Sequence, residues 1–309
     1  MPIDACWSVR GVPAQIEAHD GERAVQVSAM QIRRLTIDGQ PLRIGIRRGA
    51  SGLPPLIVFN GIGASLELIE PFVSALPDRE VVAFDVPGSG GSPVSWVPYR
   101  FAGLARLARR LLDELGYACP VDVLGVSWGG GLAQTFAFRF PKHCRKLVLA
   151  STSPGALMIP GRLSVLSKLL SPRRYVDPDF IRAFGGQIYG GAYRRDPDLL
   201  SRHSVALRPP SYIGYWYQLF TAAGWTSLPW LRLLPQPTLV MHGSDDPIVP
   251  LINAQILSML IPRAELHVVD DGHLFLVTKA TDIAPVVDRF LGADDEVYTQ
   301  ERGARNDHV

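Results

Sequence analysis

The fold is decided by residues 121–139, which run VDVLGVSWGGGLAQTFAFR. The first six residues are apolar enough for a buried strand, and Leu132 and Phe136 recur at the spacing of a helix face. Between strand and helix stands a G-x-S-x-G box centred on Ser127. A serine on a sharp strand-to-helix turn needs small neighbours, and the helix N-terminus favours negative charge on a reacting oxygen. The box in this context predicts a nucleophilic serine, although the pentapeptide alone also fits an ordinary glycine-rich turn.

Strands and helices alternate on both sides of this box. A hairpin is predicted from two alternating runs, 31–37 and 42–48, that flank the turn residues 38–41. Six further runs have the length and composition of buried strands: PLIVFN (55–60), EVVAFD (80–85), VDVLGV (121–126), RKLVLA (145–150), PTLVMH (237–242) and AELHVV (264–269). Helices are predicted at 66–76, 99–116, 128–140, 252–261 and 279–290. The alternation predicts an α/β fold with a mostly parallel central sheet and helices on both faces.

One long segment, residues 154–235, interrupts the alternation. It contains no convincing buried strand, and it holds 12 of the 27 aromatic residues of the chain. Because a structureless loop of this length is improbable in a compact domain, we predict an inserted helical cap, or lid. The core of the fold then consists of residues 30–153 and 236–292.

The two ends of the chain differ from this core. Residues 1–29 show no clean hydrophobic period and are predicted to form a poorly ordered extension; residues 293–309 are charged and predicted to fray. Met30 directly precedes the first strand, so translation could start at Met1 or at Met30. The beginning of the sequence lacks the basic and apolar regions of a secretory signal, which favours a cytoplasmic location.

Composition excludes several classes of function. Hydrophobic residues make up 47% of the 309 residues, which is enough for a large core. The 31 Lys and Arg nearly balance the 29 Asp and Glu, and this net charge of +2 gives no support for nucleic-acid binding. No run approaches the roughly 18 apolar residues of a transmembrane helix, and no metal or nucleotide motif is present. We therefore expect no metal, no cofactor, no nucleic acid and no transmembrane segment, while the oligomeric state stays open.

Two loops downstream of Ser127 carry candidates for an acid and a base. Asp245 and Asp246 follow one predicted strand, and His273 follows the next. Parallel strands end at the same edge of a sheet, where Ser127 also lies, and a carboxylate can hold an imidazole in the tautomer that takes a serine proton. We predict Asp246, which begins a D-P-x-x-P loop, as the acid and His273 as the base. Asp245 remains the alternative, and either aspartate could be a turn residue.

A glycine-rich turn after another strand offers hydrogen-bond donors for an oxyanion. Ester chemistry needs two backbone N–H groups aimed at the oxygen that becomes negative. The turn Asn60-Gly61-Ile62-Gly63 can supply the N–H of Ile62, and Trp128 directly follows the serine. We predict Ile62 and Trp128 as the two donors, although residues 60–63 could also be a simple turn.

These motifs together resemble the α/β-hydrolase superfamily over residues 30–292. Within it the chain is similar to the intracellular poly(3-hydroxyalkanoate) depolymerases that act on medium-chain polyesters. The resemblance is carried by FNGIGASLEL (59–68), AFDVPGSGGS (83–92), VLGVSWGGGLAQTFAFRFP (123–141), SPRRY (171–175), IYGGAYRRDP (188–197), GYWYQLF (214–220), GWTS (224–227) and DDGHLFL (270–276). Several of these stretches lie in the predicted cap, where hydrolase families differ most.

The resemblance implies a reaction and a partner. Ser127, Asp246 and His273 would form a catalytic triad. Related polymer synthases carry cysteine at the nucleophile position, so a serine points to ester hydrolysis with water as co-substrate. A hydrophobic polyester granule and its surface would be the partner, in the cytoplasm. Aromatic cap residues are predicted to bind substrate, although any one of them could instead pack the helical insert onto the core: Tyr189, Tyr215, Trp216, Phe220 and Trp225.

Two other functions remain compatible with the sequence. One is hydrolysis of a soluble ester, or of a carbon–carbon bond, by the same triad. The other is a hydrolase-like binding protein without catalysis, which an intact serine, acid and histidine in the right order disfavours. The sequence leaves open the side-chain length of the substrate and whether cleavage starts at chain ends.

Overall fold

The computed structural model describes residues 30–49, 52–196, 199 and 208–293. The extension predicted at 1–29 lies outside the described residues, and so do residues 294–309 of the tail predicted to fray at 293–309. Eight strands are described: β1 (Gln31–Ile37), β2 (Gln40–Arg47), β3 (Leu56–Phe59), β4 (Val81–Phe84), β5 (Val121–Val126), β6 (Cys144–Ala150), β7 (Thr238–Gly243) and β8 (Ala264–Val269).

The eight strands form one sheet in the order β1-β2-β4-β3-β5-β6-β7-β8. Strands β3 to β8 pair parallel with their neighbours among themselves, whereas β2 runs antiparallel to both β1 and β4. The predicted mostly parallel sheet is therefore confirmed. Its parallel strands are short and mostly buried, as expected for strands that are covered on both faces.

The predicted hairpin joins β1 to β2 through a two-residue turn. Asp38 and Gly39 both adopt positive φ, at 47° and 80°, and Ile37 pairs with Gln40. Positive φ at both central residues is the geometry of a type I′ turn, which matches the twist of paired strands and favours Asp-Gly.

Eleven α-helices are described, with the bounds α1 (Glu70–Ser74), α2 (Phe101–Glu114), α3 (Trp128–Arg139), α4 (Leu163–Leu166), α5 (Arg173–Val176), α6 (Pro178–Tyr189), α7 (Gly191–Arg195), α8 (Tyr212–Ala222), α9 (Ile252–Leu260), α10 (Phe275–Thr278) and α11 (Ala280–Gly292). Short 3₁₀ turns lie at Leu66–Ile69, Pro141–His143, Ser167–Leu169 and Leu231–Leu233. No helix within the described residues is long and apolar enough to cross a membrane.

The helices cover the two faces of the sheet in two separate hydrophobic clusters. Helices α2, α3 and α9 pack on one face, where Ile57 and Phe59 of β3 point. Helices α1, α10 and α11 pack on the other face, against Leu56 and Val58 of the same strand. The side chains of β3 thus alternate between the two clusters, which is the period-two pattern of a fully buried strand.

Helices α4 to α8 lie between β6 and β7, within residues 154–235, which we call the cap segment. Val165, Ile181 and Ile188 form a small apolar cluster there, and this cluster packs onto Ile248 and Val249 in the loop after β7. The cap segment therefore contacts the side of the sheet at which the parallel strands end, where Ser127 directly follows strand β5.

Candidate active site

Ser127 occupies a strained turn between β5 and α3. Its φ of 53° and ψ of −118° are unusual for a residue with a side chain, and such strain persists only where the surroundings enforce it. The turn is tight because strand and helix meet closely: a Cβ on Gly129 would lie 2.1 Å from the carbonyl oxygen of Phe59. Residue 129 must therefore be glycine for the serine to project from the top of the sheet.

His273 connects the serine to a carboxylate. Its Nε2 lies 2.9 Å from the Ser127 Oγ, and its Nδ1 lies 2.7 Å from the Asp246 Oδ2. The histidine backbone is fixed on both sides, because its N–H donates to the carbonyl of Tyr189 and its carbonyl accepts from the hydroxyl of Ser151, both at 2.8 Å. The structure thus brings together the three side chains that the sequence predicts.

The carboxylate of Asp246 is buried and fully engaged. Its Oδ1 accepts the backbone N–H groups of Ile248 and Val249, at 2.9 and 3.0 Å. These two bonds engage Oδ1, which leaves Oδ2 as an acceptor for the Nδ1–H of His273. The Nε2 of that tautomer is an acceptor, so the hydroxyl of Ser127 can donate to it.

The alternative acid, Asp245, faces the cap segment instead. Its Oδ1 lies 2.7 Å from the Nη1 of Arg194, and its Oδ2 accepts the N–H of Gly191 at 2.8 Å. Asp245 therefore ties the loop after β7 to helix α7, while its neighbour faces the histidine.

A second histidine, His242, contacts the loop that carries Asp246, the predicted acid. His242 is fully buried, and its Nε2 lies 2.7 Å from the carbonyl oxygen of Val249 and 3.4 Å from the Asp246 Oδ2. Burial lowers the pKa of His242, even though the nearby Asp246 acts to raise it. Because a carbonyl can only accept, the Nε2 of this neutral ring carries the proton.

The two predicted oxyanion donors both stand next to the serine. Ile62 lines the same cavity as Ser127, and Trp128 begins helix α3. The turn before Ile62 is fixed by Asn60, whose Oδ1 accepts the N–H of Gly61 at 2.9 Å. No hydrogen bond from the backbone N–H of Ile62 or Trp128 is found within the described residues. Both groups are available to a ligand oxygen.

Gln218 of helix α8 contacts the surroundings of both donors, a role that no sequence motif predicts. Its Oε1 accepts the N–H of Gly63 at 2.8 Å, and its backbone oxygen accepts the indole N–H of Trp128 at 2.9 Å. Its Nε2 donates to the hydroxyl of Ser89 at 2.6 Å. The sequence does show a glutamine within the aromatic stretch GYWYQLF (214–220). An amide that is buried among aromatic residues needs hydrogen-bond partners, so this position could have been singled out.

Arg174 and Tyr175 of helix α5 hold the same turn from another side. The carbonyl of Ile62 accepts from the Tyr175 hydroxyl at 2.7 Å and from the Arg174 Nη2 at 3.2 Å. Both residues belong to the stretch SPRRY (171–175), in which no sequence pattern indicates that Arg174 has a different role from its neighbours. The cap segment thus holds the Ile62–Gly63 peptide through both its carbonyl and its N–H.

Of the five aromatic residues predicted to bind substrate, one lines the cavity beside Ser127. This residue is Tyr189, which shares the lining with His273, Ile181 and Ile248. Tyr215 is fully buried but does not line the cavity; its hydroxyl donates to the carbonyl of Leu169 at 2.6 Å. Tyr215 therefore supports the wall from behind.

The other three predicted aromatic residues lie elsewhere. Trp216 and Phe220 are 56% and 48% exposed on the outer side of α8. Trp225 packs edge-on against Phe101, with ring centroids 4.9 Å apart, in the cluster beneath α2. Helical rotation explains why Trp216 is exposed and its neighbour Tyr215 is buried, because consecutive residues of α8 point in directions about 100° apart.

No group of three or more His, Cys, Asp and Glu residues that could hold a metal is found in the described part of the chain. The structure places the Ser127 hydroxyl, the His273 imidazole and the Asp246 carboxylate in one hydrogen-bonded row, with Ile62 lining the same cavity and Trp128 next to the serine. An arrangement of this kind is compatible with acyl transfer through a covalent serine intermediate.

Comparisons with known proteins agree with the fold. The model of the alpha/beta hydrolase fold family matches residues 54–280. A poly(3-hydroxyalkanoate) depolymerase of Ectopseudomonas oleovorans is 53% identical over 260 residues, which cover 84% of this chain and 92% of that protein. A 2-hydroxymuconate semialdehyde hydrolase of Pseudomonas putida is 30% identical, over 72% of this chain and 80% of that protein.

Solved structures give the same result. A hydrolase from Pseudomonas aeruginosa PA01 superposes with a TM-score of 0.72 at 25% identity, over 85% of this chain and 98% of the other. The enol-lactonase from Burkholderia xenovorans LB400 superposes with a TM-score of 0.73 at 21% identity, over 84% and 100%. From its sheet, its serine turn and these matches, the chain belongs to the α/β-hydrolase family.

Proposed function

We propose that this protein is a serine hydrolase that cleaves the ester bonds of poly(3-hydroxyalkanoate) with medium-length side chains. The observation that carries the proposal is the 53% identity to a poly(3-hydroxyalkanoate) depolymerase, which extends over 92% of that relative. The hydrogen-bonded chain from Ser127 through His273 to Asp246 supports the reaction type. The cavity beside Ser127, which Leu68 and Leu274 also line, suits an apolar acyl chain.

The reaction proceeds through an acyl-serine. His273 accepts the proton of Ser127 as the Oγ attacks the ester carbonyl, and Asp246 stabilises the imidazolium that forms. The backbone N–H groups of Ile62 and Trp128 hold the tetrahedral oxyanion. The alcohol leaves with the proton from His273, and a water activated by the same ring then releases the carboxylic acid.

Helix α8 offers a surface for a water-insoluble substrate. Its inner side buries Tyr215 and Gln218, whereas its outer side exposes an apolar stripe of four residues: Tyr212, Ile213, Trp216 and Phe220. The adjoining loop packs on this helix through Arg100, whose guanidinium carbon lies 4.0 Å from the Phe220 ring centroid, and it exposes Trp96. Exposed apolar patches of this kind mark interaction sites, so we assign this stripe to contact with a polyester granule in the cytoplasm.

Activity on a polymer separates this function from its alternatives. The wild-type protein should release 3-hydroxyalkanoic acids or short oligomers from dispersed medium-chain polyester, and Ser127→Ala should lower that rate by about 10⁴-fold or more. A fluorophosphonate should label the wild-type serine and leave the variant unlabelled. Turnover of soluble esters without release from polyester would contradict the polymer assignment, and unchanged turnover by Ser127→Ala would contradict the mechanism.

The granule surface has its own test. Replacing Trp216 and Phe220 together by serine should reduce co-sedimentation with polyester granules while soluble-ester turnover stays near that of the wild type. Met259→Ser removes a comparably exposed apolar side chain, 80% exposed on α9 of the core, and should leave co-sedimentation unchanged. Equal co-sedimentation of all three proteins would refute the assignment of this stripe.

A further inference from the structure

Arg174 is a buried cation beside the candidate nucleophile. Its side chain lines the cavity that contains Ser127 and His273, and the residue is only 6% exposed. Among the residues that the structure describes, no carboxylate pairs with it: its Nη1 donates to the Tyr215 hydroxyl at 2.8 Å and its Nη2 to the Ile62 carbonyl at 3.2 Å. A buried charge normally has an opposite charge nearby. Here the guanidinium carbon instead lies 4.8 Å from the Tyr175 ring centroid and 5.4 Å from that of Tyr215, so the described residues supply aromatic contacts but no anion.

The guanidinium also has donors to spare. Two of its five N–H groups make the hydrogen bonds to Tyr215 and Ile62, and the buried Nε has no partner in the described part of the chain. Tyrosines are the titratable groups that act on it from the surrounding elements: Tyr175 on α5, Tyr189 on α6 and Tyr215 on α8. An arginine is always protonated in proteins, so this cavity wall carries a permanent positive charge.

Tyr189 adds a second donor to the same wall. It lines the cavity, and its hydroxyl has no hydrogen-bond partner among the described residues. Burial raises the pKa of this hydroxyl, so it stays protonated and can donate. A guanidinium and a phenol that line one cavity are both hydrogen-bond donors, and a carboxylate can accept from two donors through its two oxygens.

We propose that Arg174, assisted by the hydroxyl of Tyr189, binds the terminal carboxylate of the polyester chain, so that the enzyme removes units from the carboxyl end. This inference rests on the proposed function. A poly(3-hydroxyalkanoate) chain has a single carboxylate, and it lies on the alcohol side of the ester bond that joins the last unit. Because Arg174 and Ser127 line the same cavity, a carboxylate held at Arg174 would bring that last ester bond into the cavity that Ser127 lines.

The proposed cleavage removes one unit from the carboxyl end of the chain in each cycle. The Ser127 oxygen forms a bond to the carbonyl carbon of the last ester, and the bond from that carbon to the ester oxygen breaks. The terminal unit leaves as a 3-hydroxyalkanoate that carries the proton from His273, with its carboxylate on Arg174. Water then cleaves the acyl-serine, and the shortened chain acquires a new terminal carboxylate, which is the group that the site recognises in the next cycle.

The test compares two soluble substrates that differ only in charge: the dimer of 3-hydroxyoctanoate with a free carboxylate, and the methyl ester of that dimer. In wild-type protein kcat/KM for cleavage of the internal ester should be about 10- to 100-fold higher for the free acid, the range of a charge-assisted hydrogen-bonded pair. Arg174→Gln also loses the bond to the Ile62 carbonyl, so kcat/KM should fall for both dimers, but it should fall about 10- to 100-fold further for the free acid, which removes the preference. Arg174→Lys, which keeps the charge, should retain part of the preference.

Arg173→Gln is the matched control, because Arg173 is the exposed neighbour and pairs with Asp177 at 2.7 Å. It should leave both kcat/KM values unchanged. Equal losses on both dimers in Arg174→Gln would mean that Arg174 only positions Ile62, and would overturn the proposal. If that variant does not fold, equal kcat/KM of the wild type for the two dimers overturns it as well. Absence of wild-type cleavage of both dimers and of polymer would instead refute the proposed function.

Discussion

Replacing Gln218 by leucine should slow catalysis far more than it weakens substrate binding. Gln218 is fully buried on α8, where its Oε1 accepts the N–H of Gly63 and its Nε2 donates to the hydroxyl of Ser89. Leucine has a similar volume but no polar atoms, so the helix keeps its packing while the turn that carries Ile62 loses one of its anchors. The backbone bond from Trp128 to the carbonyl of residue 218 is retained.

The expected magnitude follows from the bond that is lost. A buried N–H without an acceptor costs about 1–3 kcal/mol, and Gly63 can recover an acceptor only if the turn moves. Complete loss of one oxyanion donor costs about 2.7–4 kcal/mol in other serine hydrolases, which sets an upper limit for a displaced Ile62. We therefore expect kcat to fall about 10- to 100-fold. KM should change little, because the oxyanion forms only in the transition state.

The assay is steady-state hydrolysis of p-nitrophenyl octanoate, together with urea unfolding of each variant. Gln236→Leu is the control, since Gln236 is also buried and its Nε2 donates to the carbonyl of Ala137 at 3.1 Å, away from the lining of the Ser127 cavity. It should lower the free energy of unfolding without lowering kcat. A Gln218→Leu variant with wild-type kcat, or an equal fall of kcat in Gln236→Leu, would refute the reasoning.

Three further variants test other parts of the structure. Asp246→Asn should lower kcat on the soluble ester by about 10³- to 10⁴-fold, whereas Asp245→Asn should keep near-wild-type kcat; the reverse order would identify Asp245 as the acid. Gly129→Ala should lower the urea midpoint strongly or prevent folding, because the added methyl would meet the Phe59 carbonyl at 2.1 Å; a wild-type midpoint would contradict this. Burial raises the pKa of Asp122 to about 6 against the charges of its arginine partners, and an unfolded aspartate titrates near about 3.9. The free energy of unfolding of the wild type should therefore fall relative to that of Asp122→Asn as the pH rises from about 4 to about 6, and the difference between the two proteins should stay constant above that range. Urea unfolding of both proteins from pH 4 to 7 measures this difference. A difference that grew in favour of the wild type with rising pH would contradict the prediction.

The sheet could be predicted from the sequence because its strands are short runs with strong local signals. All six residues of β5, Val121–Val126, are buried, and a run of this kind between glycine- or proline-rich turns has few other structures available. The grouping of Ser127, Asp246 and His273 could be predicted for a related reason. Each follows a parallel strand, and topology alone brings the ends of parallel strands to one edge.

The contacts made by the cap segment could not be predicted in the same way. Gln218 reaches Gly63 across 155 positions of sequence, and Arg174 reaches Ile62 across 112. Which side chain makes such a contact depends on the rotation of a helix whose docking the sequence does not specify. In α8 this rotation buries Tyr215 and exposes Trp216, so two adjacent aromatic residues with the same prediction have different surroundings.

The two sides of α8 link the proposed granule surface to the proposed oxyanion site. The helix is held on the core at three places: Ser211 donates its N–H to Gly88 at its start, the indole of Trp128 donates to Gln218 at its middle, and Thr221 donates its hydroxyl to Tyr99 near its end. Because the Oε1 of Gln218 also accepts the N–H of Gly63, the helix cannot move away from Ser127 without releasing the turn that carries Ile62. The proposed contact of the outer stripe with a polyester surface uses side chains that none of these bonds involves, so it would leave that turn in place.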